Sequence, residues 1–316
     1  MSPGTYRWLA ITALALLVAI VVTGAAVRLT GSGLGCSDWP NCEPGDFVSV
    51  STPNQAIEQL NRLFTGLVSL AVAAAVLGSI RRRPFRRDLV WLSVGLVLGV
   101  IGQIVLGGIT VLVDLHPVAV GGHFVLSMIL VADAVVLTWR AGRPAGPRAP
   151  VVDRGDLWLS RIAVTLAAGL MLTGPIVTGT GPHAGDAASP RFGFSIPDVV
   201  RIHSINMWLF LAVLVVLLVR LVRTPGVDRL GDGRLVRRGT AVLVVVVAQG
   251  GIGYVQYAAG IPAALVLAHI IGATAVLSTT IWFHLGLSAP TAATGSTSVD
   301  RPGSSAVERT GAGSHR

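Results

Sequence analysis

The sequence predicts an all-α polytopic membrane protein whose eight transmembrane helices form two pseudo-symmetric four-helix bundles. Three observations carry that expectation: a composition short of charge, eight apolar stretches long enough to cross a bilayer, and an internal repeat. Of the 316 residues, 52% are hydrophobic and only 12% charged, and the mean hydropathy is +0.72. A soluble chain carries about 25% charge, so this one has too little to cover a water-facing surface. The formal net charge of +9 on a soluble chain suggests a nucleic-acid partner. The distribution excludes it. Every basic residue is Arg, with no Lys, and the arginines cluster in short segments between apolar runs. That is how a membrane protein encodes its orientation.

A transmembrane helix needs about 20 mostly apolar residues. The first stretch, Tyr6–Leu29, begins like a signal peptide, with Arg7 ahead of an apolar run, but the run is too long for a signal segment. The others are Ile57–Ile80, Leu89–Val113, Pro117–Trp139, Leu157–Gly179, Asp198–Val222, Leu235–Tyr257 and Ile261–Leu287. The arginines orient them. RRRPFRR (Arg81 to Arg87) separates the second and third spans; Arg140, Arg143, Arg148 and Arg154 follow the fourth. Arg220, Arg223, Arg229, Arg234, Arg237 and Arg238 lie around the sixth connection, and only Arg28, Arg62, Arg191 and Arg201 fall toward the other side. The positive-inside rule then makes both termini cytoplasmic, in the cell membrane. The expected organisation is an N-terminal bundle over 1–139, a cytoplasmic linker over 140–156, a C-terminal bundle over 157–287, and a disordered cytoplasmic tail over 288–316.

Two outer loops are substantial, near 30–56 and 180–197. The first holds the only cysteines, Cys36 and Cys42, in the segment CSDWPNC. The outward compartment can be oxidising, so a disulfide that holds this loop over the membrane surface is expected; two free thiols are the alternative.

The halves repeat. TGSG at Thr30–Gly33 returns as TGTG at Thr178–Gly181, 148 residues on. Gln103 and His123 are 20 apart, as are Gln249 and His269, an offset of 146. The segment from Glu58 to Asn61 aligns with Val200 to His203 at an offset of 142. A four-helix repeat returns the chain to its starting side, so the bundles are parallel repeats about an axis along the membrane normal, each able to hold one site between facing helices.

His123, His203 and His269 each lie roughly 10 Å below the outer boundary at 1.5 Å per residue. A polar side chain at that depth faces the bundle interior and needs a partner. A lone histidine there is a packing residue or a ligand; His203 and His269, at matched depth on two helices of one bundle, suit the two axial positions of a haem iron. Zinc fits less well, because it wants more ligands than this cluster offers. His116 and His183 read as interfacial residues, and His284 lies toward the cytoplasmic end of the last span.

Taken together, VRLTGSGLGC, the DWP of the cysteine loop, IEQLNR, GGITVL followed by His123, GPHAGD, and the His203/His269 pair resemble bacterial haem A synthase. That family is related to the mitochondrial enzyme that matures cytochrome oxidase haem. The resemblance covers nearly the whole chain except the tail. It implies oxidation of the C8 methyl group of haem O, by successive hydroxylations, to the formyl group of haem A. It further implies a haem b cofactor between His203 and His269 and a substrate haem O site in the N-terminal bundle. That site uses His123 and requires an acid matching Glu58; the cysteine pair matches Cys36 and Cys42. The implied partners are haem O itself, a haem O synthase, cytochrome oxidase assembly factors and membrane lipid. One position departs from the pattern. Many members read Glu-x-x-His-Arg where this chain reads Glu58-Gln59-Leu60-Asn61-Arg62, so the first axial histidine of the N-terminal site is replaced by Asn61. Asn61, through a water, or His116 are the residues left to fill that place.

The repeat alignment adds an asymmetry. Glu58 aligns with Val200, and Asn61 with His203. Glu58 and Asn61, three apart, share a helix face. The N-terminal site therefore has one histidine and an acid, and the C-terminal site has two histidines and no acid. The first suits catalysis and the second electron relay. Glu58 acts as a base or proton acceptor, its carboxyl raised by desolvation, or else pairs with Arg62. Arg28, Arg62 and Arg201, near outer helix ends, bind haem propionates through bidentate contacts or simply snorkel to the interface. Asp133, ten residues below His123, is an intramembrane acid without an assigned role. Two other function classes fit parts of the pattern: a di-haem b-type electron-transfer protein without methyl oxidation, and a secondary transporter built from parallel repeats.

Overall fold

The computed structural model describes residues 1–224 and 233–291. Eight long helices account for most of them: α1 (Pro3–Leu29), α2 (Pro53–Arg81), α3 (Arg87–Leu112), α4 (Pro117–Ala141), α5 (Arg154–Thr180), α6 (Ile196–Arg223), α7 (Arg234–Ala258) and α8 (Ala263–Gly286). All eight are long and apolar enough to cross a membrane, and the protein is a multi-pass membrane protein. Most helices begin before their apolar stretch does. The apolar pattern marks the bilayer core, whereas the helix runs on to its cap. Thr52 and Gln55 form a reciprocal capping box ahead of α2, with Pro53 in its first turn. Ser2 caps α1 by accepting from the Thr5 amide, and Asp153 caps α5 through Asp156.

Both halves pack in the same cyclic order. Helix α1 lies against α2 and α4, α2 against α3, and α3 against α4; likewise α5 lies against α6 and α8, α6 against α7, and α7 against α8. The halves meet where α4 touches α5 and α8, and where α1 touches α8. Tyr6, Leu89, Leu96, Val131, Leu137, Phe210, Leu214 and Phe283 are buried in a core that runs through both halves. The outer surface is apolar as well: Trp91, Leu60, Leu70 and Val222 are largely exposed. In water that surface is an aggregation liability; against lipid tails it is the expected exterior, since every helical backbone group is satisfied internally.

Two connections bind the halves at their ends. At the end opposite the arginine-rich connections, Asp114 and Leu115 both take positive φ (52° and 57°), a conformation uncommon for non-glycine residues. The strain places the Leu115 side chain between Gly33 and Gly185, one from each half of the repeat. A Cβ at either glycine would come within 2.7 or 2.8 Å of it. The Gly33 amide donates to the Gly185 carbonyl at 3.1 Å beside this plug. At the arginine-rich end, Arg148–Pro150 (β1) pairs antiparallel with Ser288–Pro290 (β2). The start of the expected disordered tail is thus a strand held to the linker, because Arg148 also donates to the Ser288 carbonyl at 2.8 Å. The rest of the tail from 292, with His315, and the 225–232 segment, with Arg229, lie outside the described residues.

Candidate functional site

The two halves build the same seat for a histidine. In the first, Gln103 of α3 donates its amide to the backbone carbonyl of His123 on α4 at 3.1 Å, and to Ser127 Oγ at 2.7 Å. In the second, Gln249 of α7 donates to the backbone carbonyl of His269 on α8 at 2.7 Å. Each glutamine is followed four residues later, one helical turn on, by a glycine facing the imidazole. A Cβ at Gly107 would lie 3.4 Å from His123 Cε1, and one at Gly253 would lie 3.0 Å from His269 Cε1. The fit is tight at Gly253 and an ordinary contact at Gly107. In both seats the histidine Nδ1 is buried and has no hydrogen-bond partner.

The facing helices complete the seats differently. On α6, His203 Nδ1 lies 2.7 Å from Thr173 Oγ1 of α5. The same hydroxyl lies 3.0 Å from the Gly169 carbonyl. When it donates there it accepts from His203 Nδ1–H, the tautomer that leaves Nε2 its lone pair, the form a metal ligand needs. The His203 and His269 rings meet edge to face, with centroids 6.3 Å apart and planes at 63°. Among the described residues no group of three or more His, Cys, Asp or Glu gathers to hold a metal ion. The donor set, two neutral imidazoles on facing helices with apolar surroundings, fits a haem iron.

In the first half the corresponding position is Asn61 on α2. Its Oδ1 accepts from Thr23 Oγ1 of α1 at 2.8 Å. Thr23–Asn61 is thus the counterpart of Thr173–His203, with threonines 150 residues apart. Neither threonine was anticipated from sequence. His116 is the N-cap of α4, its Nδ1 accepting from the Val118 amide at 3.4 Å.

Glu58 lies one helical turn before Arg62 and is 5% exposed. Its Oε1 accepts from Arg62 Nε at 3.1 Å and Nη2 at 2.6 Å, and its Oε2 accepts from the Cys36 amide at 2.8 Å. Arg62 in turn donates to the backbone carbonyls of Asp38 and Asn41. Cys36 and Cys42 are joined by the expected disulfide. The pairing of Glu58 with Arg62, one of the two roles expected for it, is therefore present, and it clamps the disulfide loop onto α2. From this loop the Trp39 ring reaches α3, where Gly108 leaves it room.

The arginines expected near propionates divide. The Arg28 guanidinium crosses to the second half, donating to the carbonyls of His183 at 2.7 Å and Thr178 at 3.0 Å. It fastens the outer ends of the bundles together. Arg62 is committed to Glu58 and the cysteine loop. Arg201 is exposed and holds only a long contact to Asp198 at 3.5 Å, leaving its fork free. His183 Nε2 bonds to the Ile261 carbonyl at 2.8 Å, and His284 Nδ1 to Ser160 Oγ at 2.8 Å; both are structural. Asp133 faces Gly95 of α3.

The family model described as Cytochrome oxidase assembly protein, COX15-CtaA, matches residues 6–56 and 45–189. That match covers the cysteine loop, Glu58, Asn61, Gln103 and His123 and stops before His203 and His269. Among curated proteins, the chain is 30% identical over 133 residues to a protein named Heme A synthase from Lysinibacillus sphaericus (strain C3-41), covering 42% of this chain and 43% of the relative. It is 31% identical over 133 residues to one of the same name from Bacillus pumilus (strain SAFR-032), covering 42% and 43%. With the Heme A synthase of Shouchella clausii (strain KSM-K16) it is 32% identical over 159 residues, covering 49% and 52%. The chain thus spans about half the length of the relatives it matches. The family match extends over more than half of this chain, and it takes in the outer loop and the first histidine seat with their acid. The chain belongs to the COX15-CtaA family of cytochrome oxidase assembly proteins.

Proposed function

We propose that this protein is a haem A synthase, oxidising the C8 methyl group of haem O to the formyl group of haem A. The reading is carried by the doubled histidine seat: one copy has two histidines and no acid, the other has one histidine and a buried glutamate. Family membership and relatives named Heme A synthase point the same way. In this proposal haem O occupies the N-terminal bundle against His123, and haem b sits between His203 and His269. A haem held by two histidines supplies one-electron transfer and has no open coordination position.

The chain's own residues then have distinct tasks. Gln103 and Gln249 fix the backbone from which each ligand histidine projects. Thr173 holds His203 in the tautomer that presents Nε2. Asn61, in the place of His203, leaves the N-terminal site with a weak donor in place of a second strong ligand, which suits substrate over permanent cofactor. Glu58 is the acid of that site, held by Arg62 and the Cys36 amide under the disulfide loop, and would serve there as a proton acceptor. Arg201 is the arginine free to meet a propionate. The arginine-rich end with both termini is cytoplasmic, by the positive-inside rule, and the protein acts in the cell membrane beside a haem O synthase and cytochrome oxidase assembly factors.

Co-expression with a haem O supply, followed by chromatography of the extracted haems, tests the reading. Haem A, with haem b retained on the purified protein, is the expected result. Haem b alone, with haem O present in the membrane, makes it a di-haem electron-transfer protein instead.

A further inference from the structure

We infer that the arginine-rich end of the seam between the two bundles is a binding site for one phospholipid with an anionic headgroup. The seam encloses a cavity of about 240 Å³. Its walls come from both halves: Leu14 of α1 and Val135 of α4 on one side, and Arg238 of α7 with Ser278 and Trp282 of α8 on the other. Above it, two guanidiniums stack on two indoles, with a third beside them. Trp139 and Trp282 meet edge to face with ring centroids 4.8 Å apart. Arg143 Cζ lies 3.1 Å from the Trp139 centroid, and Arg238 Cζ lies 5.0 Å from it. Arg7 reaches the same place over Gly142, whose lack of a side chain makes room for it.

What marks the site is the treatment of its charge. At the same end of the molecule Arg86 and Arg140 share Asp88, and Arg220 is held by Asp153 and Asp156. Arg7, Arg143 and Arg238 have no carboxylate partner among the described residues. Burial, followed by crowding from Arg238, Arg148 and Arg7, pushes the Arg143 guanidinium down to about 10. Stacking on tryptophan holds the cations in place without neutralising them. An anion is the missing component, and the cavity beneath is lined by Leu14, Val135 and Trp282, which a free anion cannot use. Basic pockets between transmembrane helices at this level bind anionic lipid headgroups. A phospholipid satisfies both parts, its phosphate between Arg143 and Arg238 and an acyl chain along the seam. A zwitterionic lipid brings a cation to the same arginines and is disfavoured.

The full-length protein, purified in detergent, is exposed to dioleoyl phosphatidylglycerol or dioleoyl phosphatidylcholine, and bound lipid is counted by native mass spectrometry. We expect phosphatidylglycerol to be retained in preference. The Arg143→Gln/Arg238→Gln double variant should lose about thirtyfold in that retention. Arg83→Gln/Arg87→Gln, which removes two exposed arginines from the α2–α3 connection, should keep it. Equal retention of both lipids, or equal loss in both double variants, overturns the site. If the seam variant does not insert, the unaltered protein still decides. Phosphatidylglycerol brominated on its acyl chains should quench tryptophan fluorescence more than brominated phosphatidylcholine, and Trp282→Phe should remove the difference. Equal quenching by the two lipids, or displacement of the lipid by inorganic phosphate, overturns the proposal.

Discussion

The Thr173–His203 pair and the Thr23–Asn61 pair occupy equivalent places in the two bundles, with contacts of 2.7 and 2.8 Å. The opposite walls are also equivalent, Gln249 with His269 and Gln103 with His123. The architecture therefore does not distinguish a cofactor site from a substrate site. In the proposed function a single side chain on the second helix of each bundle does, together with the acid three residues before it in the first half. On that reading one repeated scaffold serves two tasks by a change of side chain, with the surrounding hydrogen bonds kept.

Breaking the comparison at its strongest point gives the largest effect. His203→Ala or His269→Ala removes one axial ligand, and the low-spin haem spectrum of the purified protein should disappear. Retention of that spectrum in the double variant removes the assignment. Next comes Glu58→Gln, which keeps size and the contact with the Cys36 amide but ends the ion pair with Arg62. Haem A formation should fall by about 10²–10⁴-fold while the C-terminal haem spectrum persists; loss of that spectrum would assign Glu58 a structural role only. The comparison is sharpened by exchanging the distinguishing residue. Asn61→His places an imidazole opposite Thr23, and electron paramagnetic resonance should then report a second low-spin haem. Thr173→Val should weaken haem retention by about 10–100-fold, the usual cost of losing a partner that orients a ligand histidine. The smallest effect is expected from Gln249→Ala and Gln103→Ala. Each removes one buried hydrogen bond, worth about 1 kcal/mol, and should lower thermal stability with a modest change in haem content in its own half alone.

The sequence made the eight spans legible because lipid imposes a length and a hydrophobicity that composition reports directly. Helix ends were less legible. The α2 cap at Thr52 and the α6 start at Ile196 lie in polar surroundings, where turn chemistry rather than hydropathy decides. The histidines and their glutamines could be read from the repeat, since spacing on paired helices survives as a count. Thr23 and Thr173 could not. A hydroxyl within an apolar helix follows no period, and its partner lies on another helix whose rotation only packing sets. Arg28 lies in the last turn of α1, but its targets, the His183 and Thr178 carbonyls, belong to the other half. Nothing local to Arg28 encodes how the halves dock. A histidine before a proline that opens a helix is well placed to cap it, as His116 does for α4; the repeat, which compares interior positions, does not register such a contact.

The two-stranded clip between Arg148–Pro150 and Ser288–Pro290 brings the beginning of the second bundle to its own end. The clip is continued by the Val151 amide on the Leu287 carbonyl at 2.9 Å and the Thr291 amide on the Pro147 carbonyl at 3.1 Å. A unit whose entrance and exit coincide can be cut from its neighbour without unravelling. Severed between Arg143 and Pro147, the chain becomes two polypeptides that each retain four spans, and the downstream piece stays closed on itself. Co-expressed as separate genes, they would have to find one another only through the α1, α4, α5 and α8 surfaces, with Arg28 as the outer fastening. Such a split protein places the duplication in plain physical terms. In the split form the seam becomes an interface between two chains, to which the covalent linker of the intact protein adds proximity.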